Sequence, residues 1–85
     1  IQIPSNTFVD KAIFTNNAAQ ITLENGREVT INGANKFNYN LSGNTSSGEA
    51  GIDLSYDQFA SIFGVDDILD SSGVQDATIV DMYII

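Results

Sequence analysis

The chain of 85 residues lacks cysteine, histidine and tryptophan, and it has only three lysine and arginine residues. Without cysteine and histidine there is no disulfide scaffold, zinc finger, iron–sulfur site or histidine general base. Phosphate contacts require clustered lysine and arginine, so we expect no nucleic-acid binding. The formal net charge of -8 also opposes docking on an anionic membrane.

Long apolar runs are missing as well. No run approaches the roughly 20 residues of a membrane helix, so we expect no membrane insertion. Residues 1–4 show no signal-peptide pattern, which predicts a processed end or a boundary within a longer chain. Apolar residues make up 42% of the sequence, too many for a disordered tail of this charge. The length therefore predicts a single domain, residues 1–85, with one thin core.

Apolar and polar residues alternate over residues 19–31, around the turn signal Asn25-Gly26. A two-residue loop would place apolar residues opposite polar ones on one face of the hairpin. A three-residue loop, 24–26, instead pairs Ile21 with Val29, and a slip of one residue would reverse every side chain. We therefore predict a type I turn with a G1 bulge, in which Gly26 is left-handed.

The residues that follow the hairpin also alternate. Phe37, Tyr39 and Leu41 share one face of a strand predicted at 36–41. Residues 19–41 are therefore predicted to form a three-stranded β-meander with one apolar face. A last strand is predicted at 77–85, inserted beside an earlier strand.

A short helix is predicted at about 56–63. Ser55 and Gln58 form a capping box, because the serine is the N-cap and the glutamine is the third helical residue. Gly64 is a natural residue for the helix end. The apolar residues at helical spacing are Phe59, Ile62 and Phe63. The expected fold class is α+β, a small, mostly antiparallel sheet of four or five strands with this helix packed on it.

The acidic residues are concentrated in the second half of the chain. Six of the eleven lie within residues 53–76. Carboxylate oxygens suit Ca²⁺, so we predict Asp66, Asp67 and Asp70 as its ligands, although their spacing is not that of an EF-hand. The alternative is a solvated acidic surface with helix-capping aspartates, which is the usual explanation of a charge run.

Paired carboxylates are a candidate for acid–base chemistry. Asp53 with Asp57, or Asp66 with Asp70, would be such a pair. The sequence supplies no nucleophile and base to accompany either pair, so we predict that the protein is not an enzyme.

The chain ends in Asp81-Met82-Tyr83-Ile84-Ile85, an acidic residue followed by four apolar ones. This resembles the C-terminus of bacterial proteins exported by type I (ATP-binding cassette) secretion. Those proteins are typically acidic, cysteine-free and rich in Gly, Asn, Asp and Thr, and they include surface-layer proteins, large adhesins and calcium-dependent proteases. The resemblance implies an extracellular or cell-surface location in a bacterium. The same residues also suit a terminal strand of the sheet, and the two interpretations are compatible.

Together these features predict a non-enzymatic, extracellular structural or adhesive module of a bacterial surface layer, filament or adhesin. It would act by assembly through edge strands and an exposed apolar patch. The expected partners are further copies of the chain or neighbouring domains of a larger surface protein. The alternative is a calcium- or glycan-binding module that uses the 42–51 loop and the 53–76 acidic region.

Overall fold

A computed structural model describes residues 1–3, 6–42, 50–79 and 81–84. Within these residues, eight strands in two sheets and one α-helix surround a shared hydrophobic core, which confirms the α+β class. The strands are β1 Gln2–Ile3, β2 Thr7–Phe14, β3 Ala18–Leu23, β4 Glu28–Asn32, β5 Tyr39–Leu41, β6 Ile52–Leu54, β7 Gln75–Asp76 and β8 Met82–Ile84. The helix α1 spans Tyr56–Ile62, and 3-10 turns occupy Ala34–Lys36 and Ile68–Asp70.

Strand β2 organises the five-stranded sheet. One of its edges pairs with β3, and β4 follows β3 on the outside. Its other edge pairs first with β8, where Val9 lies opposite Met82, and then with β7, where Phe14 lies opposite Gln75. All of these pairings are antiparallel. The two short strands therefore share one edge of β2 end to end.

The predicted β3–β4 hairpin is confirmed, including its register. Ile21 lies opposite Val29, as the three-residue loop requires. The Gly26 N–H donates to the Leu23 carbonyl at 2.9 Å, and the Leu23 N–H donates to the Arg27 carbonyl at the same distance. Gly26 has a φ of 83°, the left-handed conformation of a G1 bulge. The alternation of apolar residues thus determined the loop length, because a different loop would have placed polar residues in the core.

The prediction of a third meander strand is wrong. Gly33, with a φ of 70°, leads into the 3-10 turn, which redirects the chain away from β4. The next strand, β5, begins only at Tyr39 and belongs to a second sheet, between parallel β1 and antiparallel β6. A buried hydrogen bond of 2.8 Å from the Tyr39 hydroxyl to the Ala34 carbonyl holds this turn against the core. Phe37, which the sequence places on the apolar face of that strand, is consequently 45% exposed.

The predicted helix and its cap are confirmed. The Ser55 N–H donates to Oε1 of Gln58 at 3.0 Å, and the reciprocal bond from the Gln58 backbone to the serine side chain completes the capping box. The helix ends at Ile62, one residue earlier than predicted, because Phe63 leaves the helical conformation and Gly64 turns left-handed at a φ of 84°.

The helix buries its apolar face in an aromatic cluster. This cluster consists of Phe14, Tyr39, Tyr56, Phe59 and Phe63, all at most 2% exposed. The rings of Tyr39 and Phe59 are stacked, with centroids 4.3 Å apart and an interplanar angle of 3°. The Tyr56 hydroxyl satisfies its polarity by donating to the carbonyls of Thr15 and Ala18 at 2.6 and 2.8 Å.

The last strand pairs with an earlier strand, as predicted, but it is shorter. It begins only at Met82, because Thr78 and Ile79 before it are hydrogen-bonded to the end of α1. The N–H groups of Thr78 and Ile79 both donate to the Phe63 carbonyl at 3.0 Å. This segment therefore satisfies a carbonyl at the end of α1 that has no partner within the helix.

Candidate functional site

The inner face formed by β2, β3 and β4 is predominantly apolar, but it is covered unevenly. In this sheet Phe14, Ala19 and Ile31 lie side by side, and Phe14 belongs to the aromatic cluster beneath α1. Towards the opposite end, Leu23 and Val29 continue the same face. There the cover is β1 instead of the helix.

An open apolar groove of about 230 Å³ lies between β1 and this end of the sheet. All of its lining residues except Gln2 and Thr7 are apolar: Ile1, Gln2, Ile3, Thr7, Val9, Ile21, Leu23, Val29 and Ile31. Ile1 is 44% exposed and Val29 is 39% exposed. We call this feature the apolar groove.

One wall of the apolar groove is fixed by backbone hydrogen bonds. The Asn40 N–H donates to the Ile1 carbonyl, and the Ser42 N–H donates to the Ile3 carbonyl, both at 2.8 Å. These bonds attach one edge of β1 to β5 in parallel register. Because they use only one edge of β1, they hold Ile1 and Ile3 in place without closing the groove.

The other wall ends at β4, which is the edge of its sheet among the described strands. Opposed residues in an antiparallel pair alternate between bonded and non-bonded positions. The bond between Leu23 and Arg27 puts Val29 and Ile31 in bonded positions. The backbone groups of Glu28, Thr30 and Asn32 therefore point away from β3, towards the unpaired edge.

The predicted metal ligands share a second, acidic groove. Asp66, Asp67 and Asp70 line an open groove of about 630 Å³ together with Asp57 of α1. A hydrogen bond from the Ser55 hydroxyl, together with backbone hydrogen bonds, lowers the pKa of the fully exposed Asp57. The Ser61 hydroxyl donates to Oδ1 of Asp66 at 3.1 Å.

These carboxylates are brought to one groove but not to one point. Within the described ranges, no three acidic side chains are grouped closely enough to hold a metal ion. Asp67 is left-handed, with a φ of 54°, and it precedes the 3-10 turn that contains Asp70. Calcium binding by Asp66, Asp67 and Asp70 therefore stays a prediction.

Most of the 42–51 loop, residues 43–49, lies outside the described residues. Its far end is tied to the second sheet, because Nδ2 of Asn40 donates to the Ala50 carbonyl at 2.9 Å and to Oδ1 of Asp53 at 2.8 Å. Asp53 is thus engaged in a hydrogen bond, and it is not among the residues that line the acidic groove.

The sequence alone did not predict the apolar groove, although the strand-forming segments that line it could be identified. The alternation in Ile1-Gln2-Ile3 is a strand signal, but nothing local shows which sheet face it will cross.

The described residues contain no helix long and apolar enough to cross a membrane.

Comparisons were made with family models, with curated proteins and with solved structures. None of the three finds a match for this chain.

Proposed function

We propose that the protein is a non-enzymatic structural module that assembles with further copies of itself by strand addition at the edge of β4. The observation that carries the proposal is the combination of a strand edge that no described strand pairs with and an open apolar groove beside it. An added strand would receive backbone hydrogen bonds from the edge and would place alternate side chains in the groove.

The composition of β4 supports this role. Proteins usually protect an edge strand with lysine, proline or inward-pointing charges. Strand β4 has neither lysine nor proline, and its inward residues are Val29 and Ile31. Its single charged residue is Glu28, whose side chain points to the other face. The edge therefore carries few of the features that oppose pairing.

The location of this module is proposed to be extracellular, on a bacterial surface. The support is the cysteine-free, acidic composition, which resembles that of type I-secreted surface proteins. The neighbours in such an assembly would be identical subunits of a surface layer or filament, or domains of a larger adhesin.

Thr30→Pro tests the assembly mechanism. Proline removes the outward N–H of Thr30 but leaves the bonds to β3 and the groove residues in place, and edge strands tolerate it. We expect sedimentation velocity to show concentration-dependent association of the wild-type protein. The association constant of Thr30→Pro should be lower by about tenfold or more, which corresponds to about 1.4 kcal/mol.

The matched control is Thr30→Ala, which changes the side chain but keeps the N–H donor. It should associate like the wild-type protein, and circular dichroism should show the same fold for all three. A wild-type chain that stays monomeric over the whole concentration range would refute the proposal, as would equal association of Thr30→Pro.

A second candidate function is calcium binding in the acidic groove, favoured by the placement of Asp57, Asp66, Asp67 and Asp70 along its walls. Calorimetry with Ca²⁺ should then give heat that is lost when residues 66, 67 and 70 are all changed from Asp to Asn. Asp10→Asn with Asp76→Asn and Glu28→Gln is the control, because it removes the same charge elsewhere. Absence of heat with the wild-type chain would eliminate this candidate.

A further inference from the structure

A third surface feature lies at the start of β2, beside the β3–β4 turn and β8. It is an open cleft of about 380 Å³, a volume within the range of small-molecule sites. Its lining includes Asn6, Phe8, Glu24, Asn25 and Tyr83. We call it the aromatic–amide cleft. It is separate from the acidic groove, and although Thr7 and Leu23 also line the apolar groove, the five residues named above do not.

One wall of this cleft is aromatic. Phe8 and Tyr83 are register partners of β2 and β8, and their ring centroids are 6.4 Å apart at an angle of 47°. Tyr83 is 50% exposed, so much of its ring is not used in packing. Phe8 neighbours the buried Val9 along the strand and therefore lies on the opposite face from the core. The pair thus presents apolar ring surface to solvent outside the aromatic cluster.

The two asparagine side chains of the cleft are oriented by hydrogen bonds that use their oxygen atoms. The Tyr83 hydroxyl donates to Oδ1 of Asn6 at 2.8 Å, and the Arg27 N–H donates to Oδ1 of Asn25 at 2.9 Å. Each side-chain amide therefore keeps both Nδ2–H donors. In the described part of the chain, neither Nδ2 group has a hydrogen-bond partner, and the Glu24 carboxylate has none.

The backbone at Asn6 contributes to this arrangement. Asn6 is left-handed, with a φ of 65°, a conformation that is uncommon outside glycine. Asparagine tolerates it better than most residues, and the bond from Tyr83 then fixes the orientation of the amide plane. The cleft therefore holds two oriented donor groups and one acceptor group beside an exposed ring.

We propose that the aromatic–amide cleft binds a neutral saccharide. The C–H face of a pyranose ring stacks on an aromatic side chain, and its hydroxyl groups both accept and donate hydrogen bonds. The amides of Asn6 and Asn25 supply the donors, and Glu24 supplies the acceptor. The net charge of -8 opposes acidic sugars. A cationic ligand would use only Glu24 and the ring face, leaving both amides unmatched.

The test is a two-dimensional ¹H–¹⁵N NMR titration of the whole chain with four neutral trisaccharides: maltotriose, cellotriose, chitotriose and mannotriose. We expect at least one of them to cause saturable shifts at Asn6, Phe8, Glu24, Asn25 and Tyr83 at millimolar concentration. Tyr83→Ala should weaken that binding about tenfold or more.

Two further variants separate binding from folding. Asn6→Gly keeps the left-handed backbone but removes the amide donors, so it should weaken binding while the spectrum stays folded. Phe37→Ala removes an exposed aromatic side chain elsewhere on the surface, and it should bind the trisaccharide like the wild-type chain.

Three results would overturn the proposal. The first is that none of the trisaccharides shifts the cleft resonances. The second is that the shifts persist unchanged in Tyr83→Ala and Asn6→Gly. The third is that arginine ethyl ester, added alone, shifts these residues while the sugars do not, which would identify a cation site. None of these results bears on the edge of β4, so the assembly proposal is tested separately.

Discussion

The two ends of the inner sheet face have the same chemistry but different covers. At one end, Phe14 lies under α1, and Phe59 and Phe63 are at most 1% exposed. At the other end, Val29 faces the apolar groove and is 39% exposed. Both ends continue a single alternating pattern along β3 and β4. The strand sequences alone therefore do not distinguish the buried end from the open one.

This difference shows that the exposure of the apolar side chains depends on which element packs across the sheet. The helix covers one end with large rings, whereas β1 has only two residues and cannot fill the same width. Open apolar surface on a small protein commonly marks an interaction site. The covered end therefore contributes most to stability, whereas the open end is the one at which we propose association, and the following changes test that division.

The largest effect is expected for Phe59→Ala at the covered end. Loss of a fully buried ring costs roughly 3–5 kcal/mol, because the cavity is surrounded by the other rings of the aromatic cluster. Val29→Ala at the open end should change the free energy of unfolding by only about 0.5 kcal/mol. Urea denaturation of the two variants measures both values. Similar losses in the two variants would mean that the open end is part of the core.

The next largest effect is expected at one of two glycines whose φ angles are nearly equal. Gly64 at the covered end has a φ of 84°, and Gly26 at the open end has a φ of 83°. A Cβ atom at Gly64 would overlap the Thr78 side chain, whereas at Gly26 it meets no atom within 4 Å in the described structure.

Both alanine variants therefore share the left-handed penalty of roughly 1–2 kcal/mol, and Gly64→Ala adds an overpacking cost of about 1–3 kcal/mol. Thermal denaturation should rank Gly64→Ala clearly below Gly26→Ala. Equal melting temperatures would show that the segment at Thr78 moves aside at little cost.

Alkaline pH should also act on the covered end. Burial raises the pKa of Tyr39 to about 12, and burial followed by the charge of Tyr39 raises the pKa of Tyr56 to about 12. Because these values exceed 10.0, the ordinary value of tyrosine, their contribution to stability is complete below pH 10.0 and is lost as the pH rises to about 12. Urea denaturation across this window should show a falling free energy of unfolding.

The control for this prediction is Tyr39→Phe. It loses the hydrogen bond to Ala34 and should be less stable at neutral pH, but it also loses one ionisable group. Its stability should consequently fall less steeply with alkaline pH than that of the wild-type chain. An identical slope would contradict the assignment to buried tyrosines.

A smaller effect than those of Phe59→Ala and Gly64→Ala is expected for Ser55→Ala. The side chain of Ser55 accepts a hydrogen bond from the helix N-terminus, so its loss should cost about 1 kcal/mol. Gln58→Ala, which removes the reciprocal half of the capping box, should cost less. Chemical denaturation of the two variants checks this order, and an unchanged stability in Ser55→Ala would contradict it.

Local signals in the sequence predicted the elements whose geometry is itself local. The Gly26 bulge and the Ser55 cap each depend on a few neighbouring residues, and both were found as expected. The strand at 36–41 was assigned to the wrong sheet because its partner, β6, lies beyond the 42–51 loop. The start of β8 depends on Thr78 and Ile79, which bind the Phe63 carbonyl at the end of α1, 15 residues before Thr78 in the sequence.

The candidate sites also differ in whether their residues are close together or far apart in the sequence. Asp66, Asp67 and Asp70 were expected together because they are close in sequence, and they do line one groove. The apolar groove joins residues 1–3 with Val29, and the aromatic–amide cleft joins Asn6 with Tyr83. No periodicity links residues so far apart, so these two sites require the tertiary structure.

The edge of β2 that β7 and β8 share also affects the order in which the strands can pair. Its partner β3 follows within a few residues, so this hairpin has little chain to close. The opposite edge receives β7 and β8, which lie more than 60 residues later in the sequence. During synthesis from the N-terminus, that edge of β2 stays unpaired until nearly all of these residues have been added. The described five-stranded sheet is therefore completed at β2, and the growing chain is most prone to mispairing before β7 and β8 have been added.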